Sequence, residues 1–318
     1  MKMTLCSAAE YLKSRDRFLI LTHKNPDGDA IGSACALCRA LRSLGKEAYI
    51  FKNPGFTPRY SAYLSDMTVE EYPADCIVAV DIADVKLLPS SCEKYADGIS
   101  LAIDHHGTHR DFAENLLLDA DAAACGEIIY HLIRALDTEV DLDMAAALYV
   151  AISTDTGCFL YSNTTSETHK IAAKLLALGV DTAPIHRDFF MVKSRARLAV
   201  EAKLIEGMNF YYSGRVAIAK LSMDLIAKTQ ATEDDLDSIS SLTRSIEGVE
   251  LGILIREIED GKCKLSVRSG ESVNAAELCA YFGGGGHIRA AGCTVEASPD
   301  AAETQVLKAI ESLEIFSD

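Results

Sequence analysis

The chain has 318 residues, enough for two domains, and its 49% hydrophobic content is ample for real cores. With 47 acidic against 31 basic side chains, the formal net charge is −16. That balance argues against a long polyanionic partner, because duplex binding rests on a basic footprint. Small anionic substrates stay open, since bound metal ions and a few local Arg or Lys residues reverse the field locally.

Residues 1–10 run straight into a charged, helix-like stretch without a signal peptide's apolar segment. No apolar run approaches the roughly 18 residues of a membrane span. A reducing cytoplasm is expected, with the ten cysteines serving as small buried hydrophobes rather than a disulfide scaffold.

From residue 18 to about 160, short apolar runs alternate with amphipathic stretches, the signature of β-α-β units and a mostly parallel sheet flanked by helices. Strands are predicted at 18–23, 47–51, 76–81 and 99–104, and helices at 31–44, 124–137, 142–153 and 166–178, with Gly179 as a helix stop. The pair Cys35 and Cys38 shares one face of an apolar helical pattern and is expected in the core. A charged helical stretch at 186–209 reads as a connecting helix between a domain over 1–185 and a smaller α/β domain over 210–318. In the latter, strands are predicted at 215–221, 250–257 and 263–268, and helices at 233–247 and 273–281.

Polar side chains close the apolar segments of the first domain: His23 with Asp27-Gly28-Asp29, then Asp81, then Asp104-His105-His106, then Asp155. In an open α/β sheet, ligands collect outside the carboxyl ends of the strands, so these groups can converge on one crevice. His23, Asp27, Asp29, Asp81, His105 and Asp155 are candidate ligands for two divalent metals sharing bridging carboxylates. Carboxylates mixed with two imidazoles suit Mn²⁺, or Mg²⁺, better than a thiolate-type zinc site. The chemistry that follows is phosphoester hydrolysis by a metal-activated water, with no nucleophilic Ser or Cys required. Gly28 is expected to permit a turn that aims Asp27 and Asp29 at different metals. Asp104 is expected to orient a neighbouring imidazole, and His106 to contact phosphate or protonate the leaving group. Asp84 reads as a loop or cap residue, and His109, His131, His169 and His186 as surface or structural histidines.

In the second domain, Gly283, Gly284, Gly285 and Gly286 are followed at once by His287 and Arg289. Successive exposed backbone N–H groups and access to positive φ suit an anion-cradling nest there.

These motifs resemble those of the DHH phosphoesterase superfamily, and the arrangement is similar to its stand-alone two-domain members, the nano-RNase/pAp phosphatases of the NrnA type. The resemblance covers essentially the whole chain. It rests on His-x3-Asp-x-Asp at 23–29, Asp81, Asp104-His-His106 and Asp155, then on Ser266-Val-Arg268-Ser269 and Gly283-Gly-Gly-Gly-His287. It implies one Mn²⁺ on His23, Asp27, Asp81 and Asp155, and a second on Asp29, Asp81, His105 and Asp155. It also implies that His106 contacts the scissile phosphate, and that Arg268, Ser269, the glycines and His287 hold a nucleotide. The active site would then sit in a cleft between the domains. Expected substrates are short oligonucleotides, pAp or linear and cyclic dinucleotides, with no duplex or membrane partner and possible homodimerisation. A DHH-type pyrophosphatase is disfavoured by the Gly-rich motif. A RecJ-like exonuclease is disfavoured by 7% aromatics, no Trp and strong acidity. A non-catalytic nucleotide-binding module on the same scaffold is disfavoured by the complete ligand set.

Overall fold

Phe18–Leu21 is fully buried, as befits a strand inside a parallel sheet covered on both faces. It forms β1 at the centre of a six-stranded sheet with β2 (Ala48–Phe51), β3 (Thr68–Val69), β4 (Cys76–Val80), β5 (Ile99–Asp104) and β6 (Asn115–Leu118). The order is β3-β2-β1-β4-β5-β6, and every pairing is parallel. Helices α1 (Leu5–Lys13), α2 (Gly28–Ser43), the short α3 (Ser61–Leu64), α4 (Cys125–Ala135), α5 (Leu142–Asp155), α6 (Ser166–Ala177) and α7 (Thr182–His186) complete this part. The computed structural model describes residues 1–236 and 238–316. Among them, no helix is long and apolar enough to cross a membrane.

The strands and helices expected in this half are present within a few residues. Two strands and the one-turn helix α3 were missed: β3 is only two residues long, and β6 lies in a stretch with no strong alternation. Cys35 and Cys38 lie in the core at 1% and 0% exposure, and burial pushes the Cys38 thiol up to about 12. All cysteines but Cys6 and Cys158 are buried, and all are free thiols.

Packing between α2 and α5 positions the site. A Cβ on Gly28 would run into the Thr154 side chain, and one on Gly32 into the Ala147 carbonyl and Ala151. The start of α2 therefore lies directly against the end of α5. Gly28 is the first helical residue rather than a turn residue, and its function is to make room.

Contacts divide the chain into Met1–Val192 and Lys193–Asp318. The stretch expected to be one connecting helix over 186–209 is broken. A π-turn, Arg187–Met191, ends in an extended Val192, and α8 (Arg195–Glu206) starts afresh with the Ser194 hydroxyl accepting from the Arg197 N–H. The second unit adds α9 (Met223–Thr229), α10 (Glu233–Leu236), α11 (Ala275–Tyr281) and α12 (Pro299–Ser312). Its strands are β7 (Asn209–Tyr211), β8 (Val216–Leu221), β9 (Leu251–Glu259), β10 (Lys262–Ser269), β11 (Gly285–His287) and β12 (Ala290–Val295). They form a sheet in the order β11-β12-β10-β9-β8-β7, antiparallel except between β8 and β9. The helix expected over 233–247 is instead α10 and a 3₁₀ stretch, Ile239–Arg244, with Ser238 left-handed before it; Asp237 lies outside the described residues.

Alanine normally stabilises a helix interior over glycine by up to about 1 kcal/mol. At position 32 the backbone of α5 cannot yield, so Gly32→Ala is expected to destabilise the fold by about 1–3 kcal/mol. A lowered urea midpoint with an unchanged slope is the result to look for; a rise would mean that the helices are not in tight contact.

Candidate active site

The sheet changes winding direction between β1 and β4, which are neighbours although not consecutive, and a crevice opens at such a switch point beyond the strand ends. His23 follows β1, Asp81 follows β4, and Asp104 ends β5 just before His105 and His106. Asp27 caps α2, its carboxylate accepting from the Asp29 and Ala30 N–H groups at 3.1 Å each. Asp155 is the last residue of α5, brought in by the contact of that helix with α2.

Three overlapping groups of these side chains lie close enough to share a cation: His23, Asp27 and Asp81; Asp29, His105 and Asp155; and Asp81, His105 and His106. Asp81 belongs to two of them. Its Oδ2 lies 3.7 Å from His23 Nε2, and its Oδ1 lies 3.6 Å from both His105 Nε2 and His106 Nδ1. These separations are too long for hydrogen bonds. Those to His23 and His105 suit donors held about 2.0–2.2 Å from a common ion. Asp81 Oδ1 is buried with no hydrogen-bond partner, and the residue adopts a left-handed φ of 59°. An unsatisfied buried carboxylate oxygen on a strained backbone fits a cation ligand far better than a core residue.

Neighbouring groups aim the donors. His105 Nδ1 donates to the Ala122 carbonyl at 3.2 Å, which leaves Nε2 facing Asp29 (3.7 Å), Asp81 (3.6 Å) and Asp155 (3.7 Å). A carbonyl behind the ring is a common way to fix the tautomer of a metal-ligating histidine. Asp29 accepts from the Cys125 and Gly126 N–H groups at 2.6 and 2.9 Å and from the Ser33 hydroxyl at 3.1 Å. The amino end of α4 thus holds a carboxylate that is 1% exposed. Asn53 donates to the His23 carbonyl at 2.8 Å, and Asn163 to that of Asp155 at 3.2 Å. Sequence reasoning missed these supports. Ser33, one helical turn after Asp29, was the only one with a readable spacing.

Asp104 is fully buried and contacts imidazoles rather than a cation group: His106 Nδ1 at 2.7 Å and His109 Nδ1 at 2.6 Å. Burial raises its pKa, but those two rings outweigh it and hold the carboxyl well below the usual range. His109, read from sequence as lying outside the clusters, therefore belongs to this network. His186 pairs with Tyr149, His169 stacks on Phe159, and His131 faces Glu167. Asp84 caps a turn by accepting from Lys86 N–H.

In the second unit the Gly tract is not the free-standing nest expected. Gly283 and Gly284 close the end of α11, and Gly285–His287 is an edge strand paired to β12. A Cβ on Gly284 would collide with Cys293, and Gly286 holds a φ of 144° that only glycine adopts readily. Register sets His287, Ala290 and Arg268 in one row across β11, β12 and β10, with Gly285, Gly292 and Ser266 in the parallel row. Directly paired residues share a face, so Arg268 and His287 flank a floor of Gly and Ala. Ser269 is turned away, buried, its hydroxyl donating to the Ile288 carbonyl at 3.1 Å. Arg289 donates to the Gly270 and Val273 carbonyls and so ties down the loop before α11.

A two-unit α/β protein with a carboxylate–imidazole cluster, a candidate cation site, at its sheet's switch point is the class these features define. The model of the DHH family, N-terminal domain, matches residues 17–152, and that of the DHHA1 domain matches residues 213–314. The bifunctional oligoribonuclease and PAP phosphatase NrnA of Thermus thermophilus is 35% identical over 309 residues, 95% of this chain and 92% of its own. The chain belongs to the DHH family, in its two-domain NrnA-type group. The cyclic-di-AMP phosphodiesterase GdpP of Geobacillus thermodenitrificans is 28% identical over 95% of this chain but only 48% of its own. The fold is shared by the crystal structure of an exopolyphosphatase-related protein from Bacteroides fragilis, with a TM-score of 0.86 and 24% identity over 97% of this chain and 95% of that one.

Crowded carboxylates make the metal-free site sensitive to pH. Burial, then the Asp29 charge, pushes Asp155 up to about 8, while His105 pulls it partly back. Burial and the surrounding aspartates raise Asp81 well above its ordinary value. Burial lowers the pKa of His105, but Asp29 and Asp155 outweigh it and the net shift is upward. An unfolded Asp loses its proton near pH ~3.9. Between that value and about 8, the folded chain binds more protons than the unfolded one, so stability must fall as pH rises. The metal-free protein is expected to melt at lower temperature at pH 8 than at pH 5, and a divalent cation to raise the melting temperature more at pH 8. A metal-free melting temperature that rises across this window would contradict the assignment.

Proposed function

We propose that this chain is a two-metal phosphoesterase that hydrolyses short oligonucleotides to 5′-mononucleotides and pAp to AMP and phosphate. The observation that carries the reading is the Asp81 carboxylate, whose two oxygens face different imidazoles from the middle of the candidate cation groups. The oxygen-rich donor set with two imidazoles fits Mn²⁺, with Mg²⁺ as the alternative. His23, Asp27, Asp81 and Asp155 are proposed for one ion, and Asp29, Asp81, His105 and Asp155 for the other. Such a pair supplies a more acidic shared water and offsets charge on the phosphoryl oxygens.

The remaining steps belong to side chains. His106 is held through Nδ1 by Asp104; in its doubly protonated form it would donate from Nε2–H to the phosphate or pass that proton to the departing ribose 3′-oxygen. Arg268 and His287 are proposed to bind the far part of the nucleotide, with the floor of Gly and Ala between them accepting a flat ring. The net charge of −16 disfavours a long polyanion, which supports short substrates. Free thiols throughout suit a reducing, cytoplasmic setting. Cleavage of a linear or cyclic dinucleotide is the second reading, supported by the likeness to the cyclic-di-AMP phosphodiesterase.

A time course in manganese or chelator on pAp, pApA, cyclic di-AMP, a pentanucleotide, a long single strand and pyrophosphate tests both readings. AMP release from pAp and the pentanucleotide supports the first; cleavage confined to dinucleotides supports the second. No turnover of any of them in manganese would end both.

Asparagine tolerates the left-handed backbone of position 81. Asp81→Asn is therefore expected to fold, to melt higher than wild type without metal, and to lose about 10³-fold or more in kcat, since several kcal/mol of charge stabilisation goes. A near-wild-type rate in manganese would sink the shared-carboxylate assignment. Arg268→Ala removes charged hydrogen bonds worth about 1.5–3 kcal/mol, so KM should rise about 10–100-fold with manganese affinity unchanged. Loss of manganese binding in that variant would show that Arg268 serves the metal centre instead.

A further inference from the structure

His109 is buried deep beside the site, with its side chain 1% exposed and its ring lying 5.1 Å from that of Phe112. Its Nδ1 meets Asp104 Oδ2 at 2.6 Å, whereas its Nε2 is buried with no hydrogen-bond partner. The other oxygen of Asp104 accepts from the His105 N–H at 2.8 Å, the His106 N–H at 3.2 Å and His106 Nδ1 at 2.7 Å. Leaving a buried ring nitrogen unsatisfied costs on the order of 1–3 kcal/mol. Core filling beneath Phe112 needs no nitrogen at all. The ring therefore makes sense through its Nδ1–H, which grips the far oxygen of a carboxylate whose near oxygen grips His106.

We propose that His109 is a positioning residue: by pinning Asp104 Oδ2 it fixes the plane of that carboxylate, which in turn holds the His106 Nδ1–H and sets the direction in which Nε2 points. The proposal rests on the role given to His106 above. Without His109 the carboxylate is held at Oδ1 alone, by the His105 and His106 N–H groups and His106 Nδ1, and can tilt about that oxygen, carrying the His106 ring with it. With His109 a fourth hydrogen bond holds the opposite oxygen and opposes the tilt. Supporting hydrogen bonds behind catalytic or metal-bound groups typically matter by about 10–100-fold.

Three variants test this in the full-length, manganese-loaded protein. His109→Asn keeps an N–H near the Nδ1 position, His109→Gln moves it toward the Nε2 position, and His109→Leu removes it. His109→Gln and His109→Leu are expected to lose about 10–100-fold in kcat on pAp or a dinucleotide, with KM and manganese affinity within about threefold of wild type. His109→Asn is expected to recover most of the rate. Wild-type kcat in folded His109→Leu, or His109→Asn no better than His109→Gln, overturns the proposal.

If the variants do not fold, nitrogen-15 ring shifts of wild type loaded with magnesium decide the matter. A proton on His106 Nδ1, with or without one on Nε2, upholds the relay, and a bare Nδ1 overturns it. If wild type hydrolyses no phosphoester, the functional reading fails separately. The same ring shifts in His109→Gln then show whether His109 governs the proton on His106 Nδ1.

Discussion

Five aspartates converge at one end of a parallel sheet, and their mutual repulsion is the constraint on which the rest depends. Asp29, Asp81 and Asp104 are buried, where charge is costly, Asp155 is partly buried, Asp27 lies at the exposed rim, and imidazoles lie among them. Two are stabilised as anions by the protein itself. Asp27 caps a helix and faces His23, which together outweigh burial and hold it near 2; Asp104 lies between two imidazoles. Asp81 and Asp155 are not: burial and the neighbouring carboxylates raise the pKa of both. A cation among them would offset that crowded charge.

Holding repelling groups together requires stiff supports, and these come from packing rather than from the polar residues. Glycine at 28 and 32 lets α2 lie on Ala147, Ala151 and Thr154, so the two helix ends carrying Asp29 and Asp155 cannot drift apart. The amino end of α4 supplies two N–H groups to Asp29, an interaction the helix dipole favours. Asp155 has the opposite fate, at the carboxyl end of α5, where the dipole disfavours its charge. The same principle thus favours the charge of one carboxylate and disfavours that of its neighbour.

The second unit uses a plainer device. Antiparallel register, not loop shape, puts Arg268 and His287 on one face with small residues between them. A nest of glycines was the natural expectation from sequence, yet the tract is half helix terminus and half edge strand. Its glycines answer to close contact at Gly284 and to φ at Gly286. Arg289, which looked like an extra anion donor, secures the neighbouring loop instead.

Sequence by itself determined the parallel sheet, the two-part organisation and the polar side chains that close its apolar segments, because period and segment-end chemistry are written locally. His23, Asp27, Asp29, Asp81, Asp104, His105, His106 and Asp155 were all readable for that reason. Tertiary structure alone decided how they are used. The carbonyl of Ala122 behind His105, the N–H groups of Cys125 and Gly126 under Asp29, and Asn163 behind Asp155 come from distant segments, and backbone groups carry no residue signature. His109 could not be told from a surface histidine by spacing, since its partner is chosen by how the loop after β5 folds back onto Asp104. Composition dictates which groups a chain can bring to a site; only packing dictates which oxygen each nitrogen meets.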